Sequence, residues 1–368
     1  MIAGLEAWLR GIEPEGAPEL VAALEQLLAS GGSLRFDGGQ TLWRSRVHRL
    51  RFRPEAAGAL PLRPLVVKRL PLDRSHREQR AVRHWLPQVG LGAYGPPLLE
   101  VSAARNASCV WHVYEDLGDM TLARFAAEAG APREETTRAA LALIASVHLR
   151  FAGHPLLAEC RLAGIDLGAG FFADSVGDAA RGLAALRMLD ALPGEWVTLI
   201  DRLLERLTAL SAEGAARTRG FAELGWPETL QHGDLWLTNI LLAPDATGPQ
   251  VHLIDWDHAG IGAAIYDLST FLRQFPTADR PWILDMYREC VRGAGWPWPE
   301  PALFERVAES CELGRFASCL LWRTLFVLQL PRGNGPPPAW VYDDLLEMER
   351  WFVELTPLLL GRDQASAA

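Results

Sequence analysis

The spacing of apolar residues changes along the chain, and the change falls close to residue 120. Residues 5–29 carry Leu, Val and Ala at helical spacing, interrupted at Pro14 and Pro18 and stopped by Gly31 and Gly32. Polar and apolar residues then alternate. In LWRSRVHRLRF (42–52), Trp43, Ser45 and Val47 share one face of an expected strand, and Arg44, Arg46 and His48 share the other. A Pro-rich loop (54–64) leads into PLVVKRL, a short apolar strand ending at Lys68. SHREQRAVRHWL (75–86) reads as a helix with Ser75 at its N-cap. PLLEVSA (97–103) and SCVWHVYED (108–116) read as two further strands. From Thr121 the period becomes helical, with segments over 121–129, 134–151, 171–192 and 195–212. A β-like island interrupts at 229–256, and helices resume from 266 to 360 with a Pro/Gly break at 331–338. The pattern predicts an α+β protein. Residues 1–117 form a β-rich region with one inserted helix, residues 118–360 a helical region, and residues 361–368 a frayed tail.

Composition narrows the function. A chain of 368 residues buries a real core as one large domain or two modest ones. With 36 basic and 45 acidic residues the net charge is −9, which argues against nucleic-acid binding by phosphate neutralisation. The charge is unevenly placed. Residues up to Gly118 balance at +3, and the remainder at −12. The N-terminus lacks the basic start and apolar run of a signal peptide, and no apolar run is long enough to span a membrane. Five scattered Cys, without a CxxC pair, indicate neither zinc nor a disulfide framework and read as buried thiols in a reducing cytoplasm. One detail stands apart: 35 of the 36 basic residues are Arg, and the lone Lys is Lys68. In a chain that writes positive charge as Arg, the surviving Lys marks a place where a guanidinium does not fit.

The densest chemistry lies in the β-like island, LQHGDLWLTNILLAPDATGPQVHLIDWDHAG. His232-Gly233-Asp234 is followed by Asn239 and, sixteen residues further on, by Asp255 at the end of an apolar run. Phosphoryl transfer requires a carboxylate beside the acceptor hydroxyl and hard oxygen ligands for Mg²⁺. A loop carrying Asp then Asn, and a strand delivering a second Asp, supply these groups. Apolar flanks at Ile240, Leu241, Leu242, Leu253 and Ile254 anchor them on buried strands.

HGDLWLTN and LIDWD resemble the catalytic loop and metal-binding segment of the aminoglycoside phosphotransferase and choline kinase group of small-molecule kinases. The resemblance extends to Lys68 in VVK, to the hinge-like VYEDLGDMTL (113–122) and to Asp267-Leu268, and covers roughly residues 38–272. It implies a protein-kinase-like fold of two lobes, with ATP and Mg²⁺ as cofactors. Asp234 resembles the catalytic base, and Asn239 and Asp255 the metal ligands. Lys68 resembles the strand lysine that holds the nucleotide phosphates. Glu78 is the acid best placed to pair with it, by residue order and helix membership. Glu115, Asp116 and Leu117 would offer backbone groups to adenine. His232 reads as a loop brace, Asp257 as a loop acid or an addition to the metal shell, and Asp267 as a cap or brace of the next helix.

Two departures from the pattern matter. No GxGxxG lies between the first two strands; FDGGQTLWRS (36–45) sits there, and Gly38 and Gly39, with Gln40 or Thr41, either cover phosphates or form an ordinary hairpin. Asp255 and Asp267 are twelve residues apart, which leaves little room for a peptide-binding segment and favours a small-molecule acceptor. Nine of the fourteen Trp lie at or after Trp226. Those at 282, 296, 298, 322, 340 and 351 accompany Asp285, Glu289, Glu312, Asp343, Asp344 and Glu347. Aromatic faces with acids suit an amine-bearing or polyhydroxylated acceptor, although each such residue alone reads as core or solvated surface. The alternative reading is a catalytically silent kinase-like nucleotide-binding or scaffold protein. Oligomeric state has no signature in the sequence.

Overall fold

The computed structural model describes residues 2, 4–12, 14–29, 34–43, 46–55, 63–129, 134–189, 192–243, 250–331 and 337–359. The Gly31-Gly32 stop, the side chains expected at 43–45, most of the Pro-rich loop and the 361–368 tail lie outside the described residues. The chain divides into two compact units. The first comprises residues 1–143, 158–164 and 237–259, and the second residues 144–157, 165–236 and 260–368.

The first unit is built on a five-stranded antiparallel sheet, β1 (Leu34–Trp43), β2 (Val47–Pro54), β3 (Leu65–Leu70), β4 (Leu98–Ala103) and β5 (Val110–Glu115). Its spatial order is β1-β2-β3-β5-β4. Side chains alternate across it, so it has two chemically different faces. One face carries Leu50, Phe52, Leu65, Val67, Trp111 and Val113, buried against Leu5 and Leu9 of α1 (Leu5–Ile12) and Leu20 and Leu24 of α2 (Ala17–Leu28). Pro18 sits in the first turn of α2, where its missing N–H costs nothing. The other face carries Lys68, His112 and Tyr114, with Lys68 directly opposite His112 in the β3–β5 register. The helix α3 (Leu72–Arg80) lies against that face, and its Ser75 hydroxyl reaches His112 at 2.7 Å.

Two expectations from the sequence change here. Residues 42–52 are parts of two antiparallel strands rather than one, because Trp43 of β1 pairs with Val47 of β2. Alternating polarity runs on from one strand to the next and cannot reveal the break. His48, Leu50 and Phe52 form the buried face of β2. Ser75 is not an N-cap: its N–H donates to the Pro71 carbonyl at 2.9 Å, so it lies one turn inside a helix that starts after Pro71. That helix continues through a π-turn at Ala81–Trp85 into Leu86–Gln88. Pro87 is the physical reason for the wider turn, since it lacks an N–H and crowds the preceding turn.

In the second unit, helices Phe171–Arg187, Gly194–Ala212, Pro301–Leu328 and Ala339–Glu354 enclose a core that includes Phe172, Val176, Leu203, Leu320, Val341 and Phe352. The first of these stops at Arg187, short of the expected residue 192. Two helices, Leu157–Ala163 and Gly214–Leu224, did not stand out in the sequence. The β-like island holds three strands, β7 (Glu228–Gln231), β8 (Ile240–Ala243) and β9 (Gln250–Leu253), and a fourth, β10 (Gly260–Ala263), lies beyond its expected end at 256. The strands β7 and β10 form a sheet with a two-residue β6 (Ile165–Asp166), in the order β6-β10-β7, while β8 and β9 form a separate hairpin in the first unit. The five Cys form no disulfide; Cys290 is exposed near the end of helix Arg280–Val291, unlike the buried Cys109, Cys160 and Cys311. No helix among the described residues is long and apolar enough to cross a membrane.

Candidate active site

In the first unit the lone lysine is the centre of a charge cluster. Lys68 projects from β3, and its Nζ lies 2.6 Å from Glu78 Oε2 on α3. The ammonium also contacts Asp255 directly, and Asp257 lies at 4.0 Å. One oxygen from each of Glu78, Asp255 and Asp257 falls within 4.8 Å of the others. Arg74 approaches the Asp257 carboxylate at 3.5 Å, and Arg77 Nε donates to the Asp257 carbonyl at 2.9 Å. Burial alone would strip the proton from Lys68, but Asp255, Glu78 and Asp257 outweigh it and hold the lysine charged well beyond its ordinary range. Burial raises Glu78 and pushes Asp257 up to about 8; Lys68 offsets this in part, and the neighbouring carboxylates add to it. Three carboxylates thus gather around one ammonium, with Arg74 and Arg77 at the edge of the cluster.

Asp255 arrives at this cluster from the end of β9 in a left-handed backbone conformation, φ 68°. Asp tolerates that region better than most residues but still adopts it uncommonly, and such strain gathers at functional sites. The β8–β9 register pairs Ile240 with Leu253, and Ile254 N–H donates to the Asn239 carbonyl at 2.9 Å. Asn239 and Asp255, sixteen residues apart in sequence, are thereby brought to the same end of one hairpin.

The loop carrying Asp234 belongs to the second unit, and the chain passes into the first between Trp236 and Leu237. Gly233 takes φ 83°, which only glycine adopts freely. Asp267, on helix Ile265–Arg273, accepts the N–H of His232 at 2.7 Å and that of Gly233 at 3.0 Å. Its burial is nearly complete. Burial alone would raise the Asp267 carboxyl, but His148 and the His232 N–H hold it below the ordinary range. His148 in turn meets the Tyr287 hydroxyl at 2.9 Å. Asp267 is thus a brace of the loop backbone. Trp236, half-exposed, donates its indole N–H to Asp234 Oδ1 at 2.7 Å and fixes the carboxylate plane. The sequence reading gave Trp236 no role; its place two residues after the Asp was the only available signal.

The remaining candidates divide. Gly38 and Gly39 are not in a loop: both lie within β1, paired with Arg51 and Leu50. A Cβ on Gly39 would stand 2.4 Å from the Trp8 ring, so packing accounts for that glycine. At the hinge, the N–H groups of Glu115 and Asp116 are engaged by the Pro97 and Pro64 carbonyls, both at 3.1 Å. Arg49, nearly buried in β2, fastens this segment by hydrogen bonds to Asp119 at 2.6 and 3.0 Å and to Asp116 at 3.0 Å. Among the C-terminal acids, Glu312 is buried against Arg315 and accepts from the Ser269 hydroxyl at 2.7 Å, and Asp344 is paired with Arg323 at 2.5 Å. Trp226 packs with Trp296 and Trp298 at centroid distances of 5.9 and 5.5 Å; Trp226 is buried and the other two are half-buried.

The sequence profile of the phosphotransferase enzyme family (APH) matches residues 48–304, and the chain belongs to that family. An ethanolamine kinase from Plasmodium vivax superposes with a TM-score of 0.57 at 11% identity, over 87% of this chain and 82% of that one. The two chains share a fold. An aminoglycoside phosphotransferase from Streptomyces rimosus, solved with ADP and streptomycin, gives 0.49 at 21% identity over 80% of this chain and 98% of that one. A macrolide 2'-phosphotransferase from Brachybacterium faecium gives 0.47 at 18% identity, over 88% and 97%. No curated protein sequence matches the chain.

Proposed function

We propose that this phosphotransferase moves the γ-phosphoryl group of ATP to a hydroxyl of a small, amine-bearing or polyhydroxylated molecule, with Mg²⁺. The observation that carries the reading is the lone lysine of the chain set among Glu78, Asp255 and Asp257. Lys68 is the group to donate to the nucleotide phosphates, and Glu78 holds it in place. The Leu117 N–H and the Glu115 carbonyl are the backbone groups we assign to the base; the N–H groups of Glu115 and Asp116 are taken by the Pro97 and Pro64 carbonyls.

The donor set fits a hard divalent cation. Asn239 and Asp255 lie at one hairpin end, and an oxygen of each of Glu78, Asp255 and Asp257 lies within 4.8 Å of the others. When bound there, Mg²⁺ would neutralise charge on the phosphate oxygens. Asp234 takes the proton of the acceptor hydroxyl as the oxygen–phosphorus bond forms and the bond to the ADP oxygen breaks. Trp236 and the Asp267-braced backbone hold that carboxylate while the proton moves. The acceptor class is supported by the −12 balance of residues after Gly118. It is supported too by the likeness in fold to an ethanolamine kinase.

The test uses the full chain. Thermal shift with ATP, with and without Mg²⁺, should show metal-dependent stabilisation. Incubation with aminoglycosides, amino alcohols and sugars should then yield a phosphorylated product. No metal-dependent shift and no labelled acceptor would overturn the reading in favour of a kinase-like scaffold.

A further inference from the structure

The side of the sheet that carries Lys68 also carries polar groups that phosphoryl transfer does not itself require. His112 and Tyr114 lie two residues apart on β5, on one face, and Ser75, Glu78 and Gln79 project towards them from α3. A continuous chain of hydrogen bonds joins them. The Tyr114 hydroxyl meets Glu78 Oε1 at 2.7 Å, while Glu78 Oε2 meets Lys68 at 2.6 Å. His112 Nδ1 lies 2.8 Å from the Tyr114 hydroxyl, and His112 Nε2 lies 2.7 Å from Ser75 Oγ. Gln79 Nε2 donates to Ser75 Oγ at 2.9 Å. Ser75, Glu78, His112 and Tyr114 are all buried.

The direction of each bond follows from what the groups can donate. A carboxylate paired with an ammonium has no proton to give, so the Tyr114 hydroxyl is the donor to Glu78. The Tyr114 oxygen then accepts from His112, which places the ring proton on Nδ1. Nε2 is left as an acceptor for the Ser75 hydroxyl, and Ser75 Oγ accepts from Gln79. Only the neutral Nδ1–H tautomer satisfies every member. The charged groups acting on this ring are cations, Lys68 across the strand pair and Arg83; with burial, the larger cause, they push His112 down to about 3.

We infer that the Ser75–His112–Tyr114 relay is a positioning device for Glu78 and, through it, for Lys68. With a donor on each carboxylate oxygen, Glu78 cannot turn without breaking a buried bond, so Lys68 is presented to the nucleotide phosphates in one orientation. This rests on the phosphotransferase reading above. His112, Tyr114 and Ser75 touch neither phosphate nor acceptor; they act through Glu78.

The test separates positioning from folding by comparing a ligand with phosphates and one without. In the full chain, Tyr114→Phe should weaken Mg-ADP binding about tenfold and leave adenosine binding unchanged. The KM for ATP should rise more than kcat falls. His112→Leu should do the same, and His112→Asn, which keeps a donor near the Nδ1 position, should recover most of the loss. Nitrogen-15 spectra of the unliganded chain should show His112 neutral with its proton on Nδ1 at pH 6. Unchanged Mg-ADP affinity in Tyr114→Phe, equal losses for adenosine and Mg-ADP, or a proton on Nε2 would each overturn the relay. A wild-type chain that binds no Mg-ADP would instead overturn the phosphotransferase reading, and the tautomer measurement would still judge the hydrogen-bond chain.

Discussion

The two units hold their critical residues by opposite means. In the first, Lys68 is held by side chains alone, and all its partners are charged: Glu78, Asp255 and, further off, Asp257. In the second, Asp267 holds the Asp234 loop through backbone N–H groups at His232 and Gly233. A cluster of charged side chains can exchange partners when phosphates or a cation arrive. A loop braced through its main chain stays in one shape whatever is bound. The difference matches the tasks proposed for each: the Lys68 ammonium, kept oriented by Glu78, can trade its Asp255 contact for phosphate, while the base keeps its surroundings throughout.

The comparison predicts a graded set of outcomes. Asp234→Asn, which keeps the Trp236 contact but removes the basic carboxylate, should lower turnover by about 10³-fold and leave Mg-ATP affinity within a factor of about two. Steady-state kinetics beside titration calorimetry checks both halves. Turnover within tenfold of wild type would remove Asp234 as the base. Lys68→Arg retains charge, yet its planar fork cannot take the place of a compact ammonium between Glu78 and Asp255. It should lose about 10²-fold in kcat/KM for ATP with the melting temperature nearly unchanged. Near-normal kinetics would make the lone lysine an accident of composition.

Asp267→Asn tests the other unit. The amide oxygen accepts one loop N–H while its NH2 confronts the second, so a buried donor loses its partner. The expected cost is about 2–3 kcal/mol of unfolding free energy, read by denaturant titration, with turnover lost through a displaced loop and Mg-ATP affinity retained. Because the Asp267 carboxyl is held below its ordinary range, its contribution is full above the unfolded-state pKa and is lost as pH falls through the folded value. Wild-type stability should therefore fall on acidification more steeply than that of Asp267→Asn. Parallel pH curves would show that the brace carries no charge-dependent stability.

Much of this was legible in the residue order. HGDLWLTN and LIDWD announced the loop and the hairpin end, because such groups must follow one another closely along the chain. The lone lysine and Glu78 were readable as strand and following helix, which places them on facing elements. What stayed hidden are contacts between distant segments. Arg49 and Asp119 lie seventy residues apart, and His148 and Asp267 are likewise distant in sequence. Trp296 and Trp298, grouped with acids as acceptor-site aromatics, each pack against the distant Trp226. The polar His112 and Tyr114 inside VWHVYE were visible as exceptions in an apolar strand, but an alternating pattern cannot say what lies against its polar face.

Gly38-Gly39 shows the same limit at its smallest scale. A pair of glycines ahead of a hairpin reads as a phosphate cover or as a turn, yet the turn is further on and Gly39 lies beneath Trp8. If packing alone sets this residue, Gly39→Ala should destabilise the chain by about 1–3 kcal/mol, because the added methyl meets the indole. The same substitution made beside Trp8→Ala should cost at least about 1 kcal/mol less, since the obstructing ring is gone. Mg-ATP affinity should be equal in the parent and Gly39→Ala chains. Additive stability losses with weakened nucleotide binding would return the glycine to the phosphate site and make the lysine only one part of the first unit's grip on the nucleotide.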